Sequence, residues 1–108
     1  MKVYINGTKE MSNIGSVIER LRKDNSCVLD ISINDSERTP DELSTLFAEV
    51  TSVKVVRNDL NGNERSTVYT KYTQIDKIQR KISDETDITT VSLVRAKQVE
   101  SEGGEDND

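Results

Sequence analysis

The chain has 108 residues, of which 32% are charged and 32% are hydrophobic, and its formal net charge is −5. This length predicts one domain with a lean, aliphatic core, because the sequence contains no Trp and only one Phe. The absence of His excludes His-containing catalytic triads and His metal sites, and the single Cys excludes both an internal disulfide and a thiolate zinc site.

The N-terminal segments predict a β-hairpin followed by a helix. The apolar residues Val3 and Ile5 are two positions apart, as on one face of a strand, and Asn6-Gly7 is the pair best suited to a two-residue type I′ turn. After this hairpin, apolar residues recur at positions i, i+3, i+4 and i+7, which is the spacing of an amphipathic helix. The apolar stripe of this predicted helix consists of Ile14, Val17, Ile18 and Leu21.

A strand and a second helix are predicted next. Apolar side chains alternate strictly from Cys27 to Ile33, which is typical of a strand with one buried face, and the Cys27 thiol is expected to be buried and inert. The following segment carries the clearest helix-start signal in the chain. Thr39 is the predicted N-cap, Pro40 is the first helical residue, and Glu42 completes a capping box.

The stretch "VVRNDLNGNERSTVY" raises the question of a calcium loop, because three oxygen-bearing side chains alternate in it: Asp59, Asn61 and Asn63. An EF-hand loop that starts at Asp59 needs Gly at its sixth position and Glu at its twelfth, where Glu64 and Thr70 stand. The flanking segments alternate like strands, so we interpret the stretch as a hairpin turn with Val55 opposite Val68. This register gathers four apolar residues on one face: Val53, Val55, Val68 and Tyr72.

Residues 73–82 are compatible with two structures. Their apolar residues recur every three or four positions, as on a helix, but the segment continues a β-rich run with no helix cap between. We interpret it as an irregular strand and keep the helix as the alternative. The last predicted strand, residues 88–96, contributes Ile88, Val91 and Leu93 to the core.

Together these segments predict an α+β domain over residues 1–98, in which two short helices pack on one face of a mostly antiparallel β-sheet of four to six strands. Residues 99–108 contain one apolar residue, two glycines and no Lys or Arg, and they predict a disordered acidic tail. No apolar run approaches the ~18 residues of a membrane span, and the N-terminus lacks a signal-peptide core. We therefore expect a soluble chain that is cytoplasmic when made.

The charges are unevenly placed along the chain. Five of the 20 acidic residues lie in residues 99–108, so residues 1–98 hold 15 acidic and 15 basic residues. Within them, residues 24–50 have a net charge of −6 and residues 51–82 a net charge of +4. Such opposite blocks predict internal pairing or head-to-tail association of copies. The candidate interaction residues are the basic Lys71, Lys77, Arg80 and Lys81 and the acidic Asp35, Glu37, Asp41 and Glu42.

Three segments in the second half, "VTSVKVV", "TVYTKYTQIDKI" and "TTVSLVRA", resemble small structural proteins of tailed phages and prophages of Gram-positive bacteria. The resemblance covers roughly residues 50–96. It implies a tail or assembly component that works through its surfaces without catalysis, and it assigns no functional residue.

Two functions follow as hypotheses, and neither needs a cofactor, a metal or a membrane. The first is a non-enzymatic phage or prophage structural or assembly protein that binds proteins, its own copies included, and becomes virion-associated. The second is an acidic phage-encoded inhibitor, such as an anti-CRISPR protein, that occupies the nucleic-acid groove of a host enzyme. An inhibitor needs a dense negative surface, whereas residues 1–98 are formally neutral, so the first is preferred. Direct nucleic-acid binding is not expected, because the net charge opposes it.

Overall fold

The computed structural model describes residues 1–95, which form eight β-strands and one short α-helix. In chain order the elements are β1 (Lys2–Ile5), β2 (Lys9–Met11), β3 (Ile14–Leu21), β4 (Cys27–Asn34), α1 (Pro40–Phe47), β5 (Ser52–Asn58), β6 (Glu64–Thr70), β7 (Tyr72–Ile82) and β8 (Asp87–Arg95). The predicted disordered segment, residues 99–108, lies outside the described residues, as does the predicted domain boundary at residue 98.

The eight strands form two four-stranded sheets. The first sheet has the strand order β2-β1-β5-β6, and the second has the order β3-β4-β8-β7. Every strand pair in both sheets is antiparallel. The prediction of a mostly antiparallel β structure is therefore confirmed. The prediction of one sheet covered by two helices is wrong, because the described residues contain two sheets and one helix.

The first predicted helix is instead strand β3. In it, Val17 lies opposite Ile31 of β4 and is 6% exposed, whereas Ile18 is 56% exposed and Leu21 is 65% exposed. The helical spacing of these residues therefore does not mark a buried stripe. The segment instead pairs along its length with β4, whose apolar residues alternate, and this pairing favours the strand over the helix that the apolar spacing predicts. The β-branched Ile and Val residues also suit a pleated strand.

The second predicted helix and its start signal are confirmed as α1. The Thr39 side-chain oxygen accepts a hydrogen bond from the backbone N–H of Glu42 at 3.2 Å, and Glu42 Oε1 accepts one from the backbone N–H of Thr39 at 2.9 Å. This reciprocal pair satisfies two of the four N–H groups that a helix start leaves free. The helix buries Leu43 and Phe47, and it lies against β7.

Both sheets and the helix contribute to one hydrophobic core. Its members are buried residues of the inner strand faces and of α1 with the segment that follows it: Val3, Ile5, Met11, Val17, Leu29, Ile31, Ile33, Leu43, Phe47, Val50, Val53, Val55, Tyr72, Val91 and Leu93. Aliphatic residues dominate, as the composition predicts. The predicted core residue Ile88 is half-buried and outside this cluster. Cys27 is also half-buried and packs against the core, so its predicted burial is only partial.

The hairpin of β5 and β6 forms as predicted, but its register differs by one residue. Val55 lies opposite Thr67 instead of Val68, because the turn holds five residues, 59–63, and Asn58 pairs with Glu64. A shift of one residue exchanges the two faces of a strand. Val68 therefore points away from the core and is 55% exposed.

Residues 72–82 form strand β7, which confirms the strand interpretation of this ambiguous segment. Lys71 precedes it with a φ angle of +74° and connects the first sheet to the second. The strand is irregular, as expected, since its pairing with β8 shifts twice along its length. Ile75 and Ile78 pack against the core, whereas Ile82 is 70% exposed.

Candidate functional site

The outer face of the second sheet carries a groove of about 420 Å³. One row of cross-strand neighbours crosses its base, in which Asp30 of β4 lies opposite Ser92 of β8, and Ser92 lies opposite Lys77 of β7. The residues on either side of Asp30 in β4, Leu29 and Ile31, face the core. Because side chains alternate along a strand, the row that contains Asp30 points away from the core.

The Asp30 carboxylate is the centre of the polar network in this groove. Arg20 Nε lies 2.5 Å from Asp30 Oδ2, and the Ser92 hydroxyl donates to Oδ1 at 2.6 Å. Partial burial by itself would raise the pKa of Asp30, but the hydrogen bonds from Arg20 and Ser92 outweigh it and hold this pKa below its usual value. At neutral pH the Asp30 carboxylate is therefore ionised, and each of its two oxygens accepts a hydrogen bond from a neighbouring strand.

A second ion pair lies near one end of β7. Arg22, in the turn after β3, places its Nη1 atom 3.3 Å from Asp76 Oδ2, and its Nε atom donates to the Ser26 hydroxyl at 2.8 Å. This arginine thus connects the β3–β4 turn with β7, which is the strand at the far edge of the same sheet.

Two lysines of β7 are exposed on the same face. Lys77 lies opposite Ser92, and Lys81 lies opposite Ile88, and both line the groove. None of the ion pairs within residues 1–95 involves either lysine. Since Arg20 already neutralises Asp30, these two lysines give the groove an excess of positive charge. Such a groove can accept carboxylate groups from a bound molecule.

The structure separates the four predicted basic interaction residues. Arg80 forms a bidentate pair with Asp87, in which Nε donates at 2.9 Å and Nη2 at 2.6 Å. This pairing raises the pKa of Arg80 and lowers the pKa of Asp87. Lys71 lies in the connection between the two sheets. Only Lys77 and Lys81 are therefore brought together on one open surface.

The four predicted acidic interaction residues all lie in the segment from the end of β4 to the first turn of α1: Asp35, Glu37, Asp41 and Glu42. All four are exposed, but they do not have the same role. The Glu42 side chain belongs to the capping box, and its hydrogen bond with the backbone of Thr39 lowers its pKa. The backbone N–H of Asp35 donates to the Asp87 carbonyl at 2.8 Å.

The loop with the calcium-like spacing is a hairpin turn organised by Asp59. Its Oδ1 atom accepts hydrogen bonds from the backbone N–H groups of Asn61 and Asn63, both at 2.9 Å, and Arg65 Nε donates to Oδ2 at 3.1 Å. These contacts, led by that with Asn63, hold the pKa of Asp59 below its usual value. Gly62 supplies the positive φ angle of the turn, +81°. No cluster of three or more potential metal-ligating side chains occurs in the described part of the chain.

The sequence interpretation missed the network of Arg20, Asp30 and Ser92. The strict alternation of residues 27–33 was sufficient to place Asp30 on the face opposite the core. It does not identify the two partners of Asp30, because the apolar spacing places Arg20 in a predicted helix and Ser92 lies 62 residues away along the chain. The strand interpretation of residues 73–82 does predict that Lys77 and Lys81 share a face, because they are four residues apart and side chains alternate along a strand.

No protein-family model, curated protein or solved structure matches this chain. The helix found in residues 1–95 has eight residues, and nothing helical in this range has the length and apolarity needed to cross a bilayer.

Proposed function

We propose that this protein is a small, non-enzymatic structural or assembly protein of a phage or prophage, and that it binds an acidic segment of another protein. The groove on the outer face of the second sheet is the binding surface. The observation that supports this proposal most directly is the exposure of Lys77 and Lys81 in the groove, with no ion pair to either within residues 1–95.

The chemistry of the groove supports binding without catalysis. A serine nucleophile needs an adjacent general base, and Ser92 does lie beside the Asp30 carboxylate. However, Ser92 is 1% exposed, and its hydroxyl already donates to Asp30. The lowered pKa of Asp30 also makes this carboxylate a weak base. The pair therefore has the properties of a structural contact within the sheet.

The two lysines set how the partner is recognised. A solvent-exposed ion pair contributes only about 0.2–1 kcal/mol, so Lys77 and Lys81 supply part of the binding energy and the rest comes from buried surface. Charged groups at the rim of an interface act mainly on the association rate and its salt dependence. We therefore expect partner binding to weaken as salt concentration rises.

The phage assignment rests on the resemblance of three segments, and affinity purification tests it. The tagged full-length chain is expressed in cells that naturally make it, and its partners are identified by mass spectrometry after low-salt and high-salt washes. Recovery of virion structural proteins that leave the column at high salt supports the proposal. Recovery of a nuclease or polymerase would contradict it and support the inhibitor hypothesis, in which phosphates are replaced by the acidic residues of 99–108 together with Asp35, Glu37, Asp41 and Glu42.

A second readout concerns the location of the protein. If it is a structural component, purified virions contain the chain at a fixed ratio to the other structural proteins. If it acts only during assembly, it is absent from virions but present in partly assembled particles. Absence from both would contradict the proposal.

A further inference from the structure

The edge strands of the two sheets differ in how they are protected from pairing with another chain. The edges are β2 and β6 in the first sheet and β3 and β7 in the second. An edge strand presents unpaired N–H and C=O groups, and natural proteins protect such strands with charges, bulges, short length or a covering element.

Three of the four edges carry such protection within residues 1–95. Strand β2 has three residues, of which Lys9 and Glu10 are charged. Strand β3 has a bulge near its start, and its Val17 carbonyl accepts a hydrogen bond from Arg57 Nη2 at 3.2 Å. Strand β7 has two register shifts, exposes Lys77 and Lys81, and lies against α1.

Strand β6 carries none of these protections over most of its length. It pairs with β5 in an unbroken register from Asn58 opposite Glu64 to Ser52 opposite Thr70. Its five residues from 66 to 70 are uncharged, and they include no Gly or Pro. The central residue of this run, Val68, is 55% exposed on the outer face. Within residues 1–95, no strand pairs with the other side of β6.

We propose that β6 pairs antiparallel with β6 of a second copy of this chain, about a two-fold axis at Val68. The uncharged run is centred on this residue, so the pairing is self-complementary. Val68 faces Val68 of the second copy, Thr67 faces its Tyr69, and Ser66 faces its Thr70. These are β-branched, aromatic–β-branched and hydroxyl pairs, which are favourable cross-strand neighbours, and none of the residues in this run is charged. Just outside the run, Arg65 faces Lys71 of the second copy, but Arg65 already pairs with Asp59 in its own chain.

The dimer joins two first sheets into one continuous eight-stranded sheet through an isologous contact. This interface lies on the first sheet, whereas the groove with Lys77 and Lys81 lies on the second. The dimer therefore leaves both grooves open, and it goes beyond the proposed function. The dimer and the partner-binding groove can be tested separately. Sedimentation mass and disulfide cross-linking of the purified chain report on the dimer alone, and partner affinity reports on the groove.

Disulfide trapping tests the pairing and its register. Val68→Cys, made in a Cys27→Ser background, places the two new thiols directly opposite each other. Opposed residues in antiparallel strands have Cα atoms about 4.5–5.5 Å apart, which lies within disulfide range. Ser66→Cys is the matched control, because in this register its copies lie four residues apart along the strand, at about 13 Å. Leu60→Cys, at the fully exposed tip of the hairpin, reports random collisions.

We expect mild oxidation to convert the Val68→Cys variant to covalent dimer and to leave the Ser66→Cys and Leu60→Cys variants as monomers on a non-reducing gel. Equal cross-linking of all three variants, or cross-linking of the Ser66→Cys variant alone, would overturn the proposed register.

Sedimentation of the untagged full chain tests the dimer without cysteine chemistry. The wild type is expected to shift from monomer to dimer as concentration rises. Val68→Glu should abolish this shift, because two like charges then face each other, whereas Lys54 lies opposite this position within the monomer and keeps the variant folded. Leu60→Glu should dimerise normally. A wild type that stays monomeric up to about 1 mM, or a dimer that survives Val68→Glu, contradicts the proposal.

Discussion

The Asp30 carboxylate determines much of the polar structure on the outer face of the second sheet. It accepts hydrogen bonds from Arg20 of β3 and from Ser92 of β8, so one side chain connects three neighbouring strands. A charged hydrogen-bond acceptor of this kind is costly to remove when its donors remain partly buried, because those donors lose their partner.

Replacement of this residue tests that role. Asp30→Asn should lower the free energy of unfolding at neutral pH by about 1–3 kcal/mol, because the amide can no longer accept two charge-assisted hydrogen bonds. Asp84→Asn is the matched control, since Asp84 is exposed in the turn between β7 and β8. Urea denaturation measures both variants. An unchanged midpoint for Asp30→Asn would show that the network contributes nothing to stability.

The same residue predicts a pH dependence. The pKa of Asp30 is lowered in the folded state, whereas the unfolded value is about 3.9. Its contribution to stability is therefore complete above the unfolded pKa, and it is lost as pH falls from about 4 through the folded pKa. The stability difference between wild type and Asp30→Asn should shrink over this range in denaturation curves recorded at several pH values. A difference that stays constant or grows in acid would contradict the assignment.

At the scale of single elements, local signals predict structure well only where they are chemically specific. The capping box at Thr39 combines a cap, a proline and a reciprocal glutamate, and it correctly predicts where α1 begins. The Asn6-Gly7 pair likewise predicts the first hairpin, and both residues have positive φ angles, but the turn holds three residues instead of two, because Ile5 lies opposite Lys9. The apolar spacing in residues 14–21 is less specific, because a strand with one exposed face can match it by chance. Pairing with β4 determines that residues 14–21 form a strand, and the apolar pattern within this segment cannot predict that pairing.

The strand assignment of β3 predicts unequal effects of two adjacent substitutions. Val17 is 6% exposed and Ile18 is 56% exposed. Val17→Ala should cost about 2 kcal/mol, from roughly 0.8 kcal/mol per buried carbon plus the cavity left behind. Ile18→Ala should change stability by less than about 0.5 kcal/mol. Chemical denaturation distinguishes them, and equal costs would favour the helix that the spacing predicts.

The cap of α1 makes a second prediction at this scale. Thr39→Ala should lower stability by about 1 kcal/mol, because the backbone N–H of Glu42 loses its acceptor. Thr39→Ser keeps the side-chain oxygen and should retain most of the stability. Thermal unfolding followed by circular dichroism gives the comparison, and identical melting of the two variants would show that the cap is not needed.

At the scale of the whole molecule, the division into two sheets and the groove could not be predicted from the sequence. The groove combines Arg20, Asp30, Lys77 and Ser92, which come from four strands and are brought together only by long-range pairing. The hairpin register also depended on turn geometry, since the hydrogen bonds of Asp59 produce a five-residue turn in place of a two-residue one. Composition did predict the aliphatic character of the core, and alternation predicted most of its strand residues.

The central claim is that the groove of the second sheet binds the partner through Lys77 and Lys81. The most direct measurement is the affinity of the captured partner for the wild type and for two charge-reversed double variants. Lys77→Glu with Lys81→Glu should weaken binding at least about tenfold, or roughly 1.4 kcal/mol, and reduce its salt dependence. Lys2→Glu with Lys9→Glu, on the first sheet, should bind like the wild type. Unchanged binding by the first variant, with loss on reversing Glu37 and Asp41, would contradict the account.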